Sequence, residues 1–121
     1  MKSTLPNQMT GTLPKRWHNE KGEFAQLIYD DTIKHLAIFS TKVGESRGGH
    51  AHMKRDETFY IFSGTVEIIL QDGDEYTSYI CGQGDMVYIK PGIYHTVHAI
   101  TDTVIVEFSH QVLDVTDLVR K

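Results

Sequence analysis

The sequence predicts an all-β fold, built either as a small barrel or as a double-sheet jelly roll. Seven short runs rich in β-branched and aromatic residues are separated by glycine and aspartate, and long stretches with a helical period are missing. Closing many short antiparallel strands on themselves also hides their edges. The runs are 24–29, 33–39, 58–62, 65–70, 76–80, 86–89 and 103–109.

The length of 121 residues suits one globular domain. We expect residues 1–22 to form an N-terminal arm or edge strand, and residues 23–121 to form the barrel domain. Asp72-Gly73 is a strong hairpin signal, and Gly64 is a tight turn between two runs. Near the C-terminus, LDVTDLVR predicts a short helix.

Composition limits the classes of partner. The formal charge is -4 and neither sign forms a long block, which argues against nucleic-acid or anionic-membrane surfaces. The single cysteine, Cys81, cannot form an internal disulfide, and the N-terminus lacks the apolar core of a signal peptide. No apolar run approaches the ~20 residues that span a bilayer. We therefore expect a cytoplasmic protein that binds a small molecule.

Two histidines on alternate positions, in GESRGGHAHMKRDETFYIFSG, carry the strongest chemical signal. Residues two apart in a strand share a face, so His50 and His52 point together. Glu57 is an odd number of positions away, but the polar segment 53–56 can act as a connection that resets the register. A strand starting near Glu57 returns its carboxylate to the histidine pair, with Phe59 on the same interior face.

His95 follows a Pro-Gly turn and adds a third imidazole to the set. His50, His52, Glu57 and His95 suit a divalent transition metal such as Fe, Mn, Ni, Zn, Co or Cu, and mixed nitrogen and oxygen donors argue against a dedicated Ca or Mg site. Four protein ligands leave positions open for water, oxygen or substrate on an ion that prefers five or six. His98 lies on the opposite face from His95 and is excluded as a ligand.

The spacing from Gly44 through His50-x-His52 and Glu57 to Gly64 resembles the first motif of the cupin superfamily. A segment from Gly84 to PGIYH is similar to the second motif, although Lys90 and Ala99 replace its usual proline and asparagine. The resemblance implies the cupin barrel, a double-stranded β-helix. It also implies that His50, His52, Glu57 and His95 are metal ligands.

A narrower resemblance is to the dTDP-4-keto-6-deoxyhexose 3,4-ketoisomerases of bacterial surface-polysaccharide pathways, on the segments RGGHAHMK, YHTVHAITD, VTDLVR and EKGEFAQL. It implies that a pair matching His50 and His52 moves protons between the carbons flanking a ketone, without metal. In those enzymes the position of Glu57 is typically not glutamate. Glu57 therefore favours the metal-dependent alternative.

Several functions stay open at this point. The first is a metal-dependent isomerase, epimerase or lyase acting on a sugar-like substrate, and iron would permit dioxygenase chemistry instead. The others are a metal-free ketoisomerase of sugar nucleotides, with His50 and His52 as acid–base groups, and a non-catalytic binding module. We expect a homodimer. Arg47 and Tyr94 are candidate substrate-binding residues, whereas Glu107 is expected to be exposed or at a subunit contact.

Overall fold

The computed structural model describes residues 14–112 and 114–120, and the regular secondary structure in this part of the chain is almost entirely strand. The only other regular element within these ranges is a 3₁₀ helix at Val115–Asp117. The strands are β1 (Lys15–Asn19), β2 (Gly22–Gln26), β3 (His35–Thr41), β4 (Ser46–His52), β5 (Glu57–Ser63), β6 (Val66–Asp72), β7 (Glu75–Cys81), β8 (Met86–Ile89), β9 (Tyr94–Ala99), β10 (Thr103–Ser109) and β11 (Leu118–Arg120).

Two antiparallel sheets pack face to face. Across the described ranges, one sheet has the strand order β3-β10-β5-β8 and the other has the order β11-β4-β9-β6-β7. The core between them draws Ile61 and Ile105 from the first sheet and Ile68 and Val97 from the second, all at most 2% exposed. The predicted all-β jelly roll is confirmed. Pairings between strands that are distant in sequence close the two sheets into one sandwich.

The outer face of the first sheet carries a second apolar cluster. Tyr60, Met86 and Phe108 are buried there, beneath Leu27 and Ile28, which follow β2 as irregular chain. The run at 24–29 was expected to be a strand throughout, but β2 ends at Gln26 and the rest covers this cluster. Both faces of β5 are consequently buried from Glu57 to Ile61, as its continuous apolar pattern indicates.

The N-terminal hairpin of β1 and β2 forms a separate sheet in which Lys15 pairs with Gln26. Residues 1–13, the first part of the expected arm, lie outside the described residues. In the ranges that are described, no helix has the length and apolar character needed to cross a membrane.

The predicted C-terminal helix is reduced to one 3₁₀ turn followed by a strand. The Asp117 carboxylate accepts hydrogen bonds from the backbone N–H groups of Met53 and Lys54, both at about 3 Å. These hydrogen bonds direct the next residues onto β4, where Leu118 pairs with His52 and Arg120 pairs with His50. Strand pairing therefore satisfies the backbone groups that a longer helix would have used.

Candidate active site

A β-bulge in β4 shapes one wall of the candidate site. The register with β9 shifts between Gly48 and His50, which leaves Gly49 as the extra residue. Gly48 and Gly49 have φ angles of 106° and 74°, a region that glycine adopts without steric cost. A Cβ on Gly48 would lie 2.5 Å from the carbonyl oxygen of His95. Glycine at this position thus allows β4 to approach the strand that carries the third histidine.

The bulge also places Arg47 and His50 on the same side of β4, although they are three positions apart. Both line a cavity of about 520 Å³ between the two sheets. In a regular strand, residues an odd number apart face opposite ways, and the extra residue at Gly49 cancels that alternation. The bulge therefore supplies a geometric reason for Arg47, a candidate substrate-binding residue, to lie beside the histidines.

The structure brings together the four residues predicted as ligands. His50, His52, Glu57 and His95 each offer one donor atom, and these atoms all lie within 4.8 Å of one another. The rings of His50 and His95 are 4.8 Å apart between centroids, and those of His50 and His52 are 5.3 Å apart. β4 supplies two members, β5 supplies Glu57 and β9 supplies His95, so the group spans both sheets.

The contact between His95 and Glu57 identifies which atoms face the centre of the cluster. His95 Nδ1 lies 3.1 Å from the carbonyl oxygen of Ile93, and a carbonyl can only accept, so Nδ1 is the donor. A neutral His95 then has its lone pair on Nε2, which lies 2.9 Å from Glu57 Oε1. Two lone pairs at this distance repel each other unless a proton or a metal ion lies between them.

Each of the four clustered residues has a buried side-chain atom that lacks a hydrogen-bond partner. Within the described part of the chain, the buried atoms His50 Nδ1, His52 Nδ1, Glu57 Oε1 and His95 Nε2 have no hydrogen-bond partner. Buried polar atoms left in this state are uncommon and cost free energy. Three imidazoles and one carboxylate fit a divalent transition metal, which would satisfy them together. The cluster could therefore hold such an ion.

The surroundings of His50 and Glu57 favour a neutral imidazole and an ionised carboxylate, the forms that bind a proton or a metal ion. Burial, followed by the neighbouring His95 and His52, lowers the pKa of His50 to about 4, so its ring is neutral near pH 7. Burial alone would raise the pKa of Glu57, but its close contacts with the imidazoles of His52 and His95 outweigh burial and lower that pKa well below its usual range. Glu57 is consequently an anion at every physiological pH.

A buried arginine that the sequence analysis missed lies beside the cluster. Arg55 is 3% exposed, and its Nη1 is 3.2 Å from Glu57 Oε2 and 3.4 Å from His52 Nε2. Its Nη2 is 3.1 Å from Oε2 of Glu107, which also lies 2.7 Å from His35 Nε2. Arg55 belongs to the polar connection 53–56, and composition alone does not distinguish it from an exposed loop residue.

The expectation for Glu107 was wrong. Its side chain is 17% exposed and lines the cavity, on the same face of β10 as the core residue Ile105. In a sheet that is covered on one face only, the apolar residues of a strand mark the interior. Val106 and Phe108 instead pack in the outer cluster beneath residues 27–28, because this sheet is covered on both sides.

Two further candidates have different outcomes. Tyr94 precedes His95 in β9 and is not among the residues that line the cavity, because neighbouring residues face opposite sides of the sheet. Its role in substrate binding therefore stays a prediction. His98 lies outside the cluster, and its Nδ1 is 2.8 Å from the hydroxyl of Ser46.

Arg120, which was not predicted, lines the cavity beside His50 through the pairing of β11 with β4.

Arg47 is held by its own neighbourhood. Its Nη2 donates to the carbonyl oxygen of Ser40 at 2.8 Å, its Nε lies 3.0 Å from the hydroxyl of Thr41, and the guanidinium sits 5.7 Å from the centroid of the Phe39 ring. These contacts fix the guanidinium at the cavity wall. Together with Arg120 it gives the cavity two cations facing the histidines.

The cupin domain profile matches residues 37–115, and the chain belongs to the cupin family. This range contains most of β3, all of β4 to β10 and all four clustered residues.

Among curated proteins, the chain is similar to TDP-4-oxo-6-deoxy-alpha-D-glucose-3,4-oxoisomerase of Aneurinibacillus thermoaerophilus, with 33% identity over 88 residues. The match covers 69% of this chain and spans 62% of the length of that relative.

Among solved structures, it resembles QdtA, a sugar 3,4-ketoisomerase from Thermoanaerobacterium thermosaccharolyticum in complex with TDP. The TM-score is 0.81 with 21% identity, covering 89% of this chain and 84% of the other. A histidine mutant of QdtA in complex with TDP-4-keto-6-deoxyglucose matches with the same TM-score and 20% identity, covering 89% and 83%. At these identities the likeness shows the fold.

Proposed function

We propose that this protein is an isomerase of nucleotide-linked keto sugars, which moves a carbonyl group between C4 and C3 of a 4-keto-6-deoxyhexose. The observation that carries the proposal is the pair His50 and His52, adjacent on one face of β4, with His50 lining a cavity that also contains two arginines. The curated relative with 33% identity, a TDP-4-oxo-6-deoxyglucose 3,4-oxoisomerase, supports the substrate class.

The reaction requires two proton transfers on carbon and a redistribution on oxygen. A histidine base removes the proton from C3, and the electron pair forms a C3=C4 double bond while the C4 carbonyl oxygen becomes protonated. The resulting enediol then gains a proton at C4, and loss of the O3 proton leaves a carbonyl at C3. No external oxidant is needed. His50 and His52 can serve as the acid–base pair because an imidazole accepts a proton on one ring nitrogen and donates one from the other.

The cavity has the charge pattern that a nucleoside diphosphate requires. Arg47 and Arg120 line it, and planar guanidinium groups bind phosphate oxygens bidentately. A volume of about 520 Å³ is within the range of small-molecule sites. Phe39 and Phe59, which meet edge to face at 5.8 Å, offer an apolar wall for the sugar.

The test is proton NMR of TDP-4-keto-6-deoxyglucose incubated with the protein in deuterium oxide. We expect the 3-keto product to form and solvent deuterium to enter at C4. His50→Asn and His52→Asn should each slow the reaction by about a hundredfold or more, as expected for loss of a general acid–base group. His98→Asn is the matched control and should retain full turnover. An unchanged substrate spectrum with the unmodified protein would refute this proposal.

A second candidate, metal-dependent isomerisation, epimerisation or lyase chemistry, is favoured by the lone-pair contact of Glu57 with His95. A bound divalent ion supplies Lewis-acid stabilisation of an oxyanion next to a carbonyl. His50, His52, Glu57 and His95 would hold it. Elemental analysis of protein purified without chelator checks this candidate: a near-stoichiometric metal supports it, and iron would direct attention to dioxygenase chemistry. Tight sugar binding without turnover would instead support a binding module.

We also propose that the protein is a homodimer. Leu36 and Ile38 of β3 and Phe62 of β5 are each more than half exposed, which is a large apolar area for one sheet face. Sedimentation equilibrium tests this, and a monomeric mass at micromolar concentration would contradict it.

A further inference from the structure

Arg55 is a buried cation that the proposed chemistry does not use. Its guanidinium lies within hydrogen-bond distance of two of the four clustered residues, at 3.2 Å from Glu57 Oε2 and 3.4 Å from His52 Nε2. Arginine stays protonated in proteins and its nitrogens can only donate. Full burial of such a group is rare and needs compensation, which here comes from the carboxylates of Glu57 and Glu107.

This arrangement places a permanent positive charge where a metal ion would also bring positive charge. Arg55 occupies Glu57 Oε2, which leaves Oε1 as the oxygen free to face the histidines. It also donates towards His52 Nε2, so that lone pair is engaged as well. An ion entering the cluster must therefore bind a carboxylate through one oxygen and accept repulsion from a guanidinium a few ångströms away.

We propose that Arg55 sets the metal affinity of the cluster of His50, His52, Glu57 and His95, acting through Glu57 as a positioning residue with a charge opposed to the ion. Glu107 has the complementary role, because its carboxylate neutralises Arg55 at 3.1 Å. Arg55 thereby shifts the balance between the two candidate chemistries, towards proton transfer by free imidazoles and away from a tightly held metal.

The proposal predicts opposite changes in metal affinity for substitutions of Arg55 and Glu107. Removing the charge of Arg55 should strengthen metal binding, whereas removing the charge of Glu107 should weaken it by leaving the guanidinium uncompensated. Lysine at position 55 keeps the cation and should keep the weak binding. A purely structural role for Arg55 would make every substitution there lower the affinity, because a loosened cluster binds any ion less well.

The experiment is isothermal titration calorimetry of Zn²⁺ into chelator-stripped full-length protein and the variants Arg55→Met, Arg55→Lys and Glu107→Gln. We expect the dissociation constant of Arg55→Met to fall at least about tenfold below that of the unmodified protein, given the size of charge interactions at this distance. Arg55→Lys should stay near the unmodified value, and Glu107→Gln should bind more weakly.

Arg55→Met leaves two buried carboxylates without their partner and can reduce folding, so the double variant Arg55→Met/Glu107→Gln provides a second comparison. Measured against Glu107→Gln alone, the double variant should bind Zn²⁺ more tightly. Equal affinities in both comparisons would overturn the proposal, as would the absence of Zn²⁺ binding in every variant. The titration measures metal binding and not turnover, so its outcome is independent of whether the proposed keto-sugar reaction occurs.

Discussion

His95 Nε2 lies 2.9 Å from Glu57 Oε1, and these two residues come from opposite sheets of the sandwich. The contact exists only because β5 and β9 face each other across the core, where both residues are at most 4% exposed. Packing of the two sheets and assembly of the site are therefore the same event. Substitutions at this contact should affect both metal binding and stability. The two effects can be separated by measuring metal affinity and unfolding independently.

Replacement of Glu57 by glutamine should weaken metal binding by about a hundredfold, because the only anionic donor of the cluster becomes a neutral amide. Zn²⁺ titration of the chelator-stripped protein measures this. His98→Ala is the matched control, since His98 lies outside the cluster and should leave the affinity unchanged. If the glutamine variant held Zn²⁺ as tightly as the unmodified protein, Glu57 would not be a ligand.

Arg120→Met should raise the KM for a nucleotide sugar by about ten- to a hundredfold with a smaller effect on kcat, because a hydrogen bond to a charged group is worth about 1.5–3 kcal/mol. Arg120 lines the cavity at its pairing with His50, so its guanidinium is placed for phosphate oxygens. Lys90→Met, a change of similar size at an exposed residue away from this cavity, is the control. Equal KM values for the two variants would remove Arg120 from the substrate site.

Gly48→Ala should destabilise the fold by about 2–5 kcal/mol, combining an unfavourable positive φ with a clash. The new Cβ would lie 2.5 Å from the carbonyl oxygen of His95, which must move away. Gly49→Ala is the matched variant, because its φ is also positive but its Cβ meets nothing within 4 Å. It should cost only about 1–2 kcal/mol. Urea unfolding of both variants checks the difference, and equal losses would show that the approach of β4 to β9 is not tight.

Stability should fall as the pH rises above about 6.5, through the titration of His110. Hydrogen bonds to Asp56 and Asp31, at 2.7 and 3.1 Å, raise the pKa of His110 above its usual value of about 6.5. A raised pKa means that the stabilisation is complete below about pH 6.5 and is lost as the pH rises through the folded-state value. The midpoint of thermal unfolding should therefore decrease over this window, and less so in His110→Gln.

Asp31→Asn provides the control for this titration, because it removes one of the two carboxylates while keeping the ring. We expect an intermediate slope of melting temperature against pH. The same slope in all three proteins would show that the bridge between residue 31 and the end of β10 does not titrate with folding.

Much of the strand pattern could be predicted from the sequence. The run at 103–109 coincides with β10, and the alternation that starts at Glu57 correctly placed Phe59 on the interior face. Strand periodicity is a local property, so residues two apart report it directly. The same logic failed for Glu107, because both faces of its sheet are covered and an apolar face no longer means the interior.

The sequence by itself determined the fold class and the composition of the histidine and glutamate cluster, since both are carried by spacing along the chain and by recognisable cupin motifs. Only the tertiary structure decided what surrounds that cluster. The bulge at Gly49 turned Arg47 towards the cavity, β11 brought Arg120 to His50, and a short connection buried Arg55 against Glu57. These contacts join residues distant in sequence or inside irregular chain, where no periodicity exists to indicate which way a side chain points.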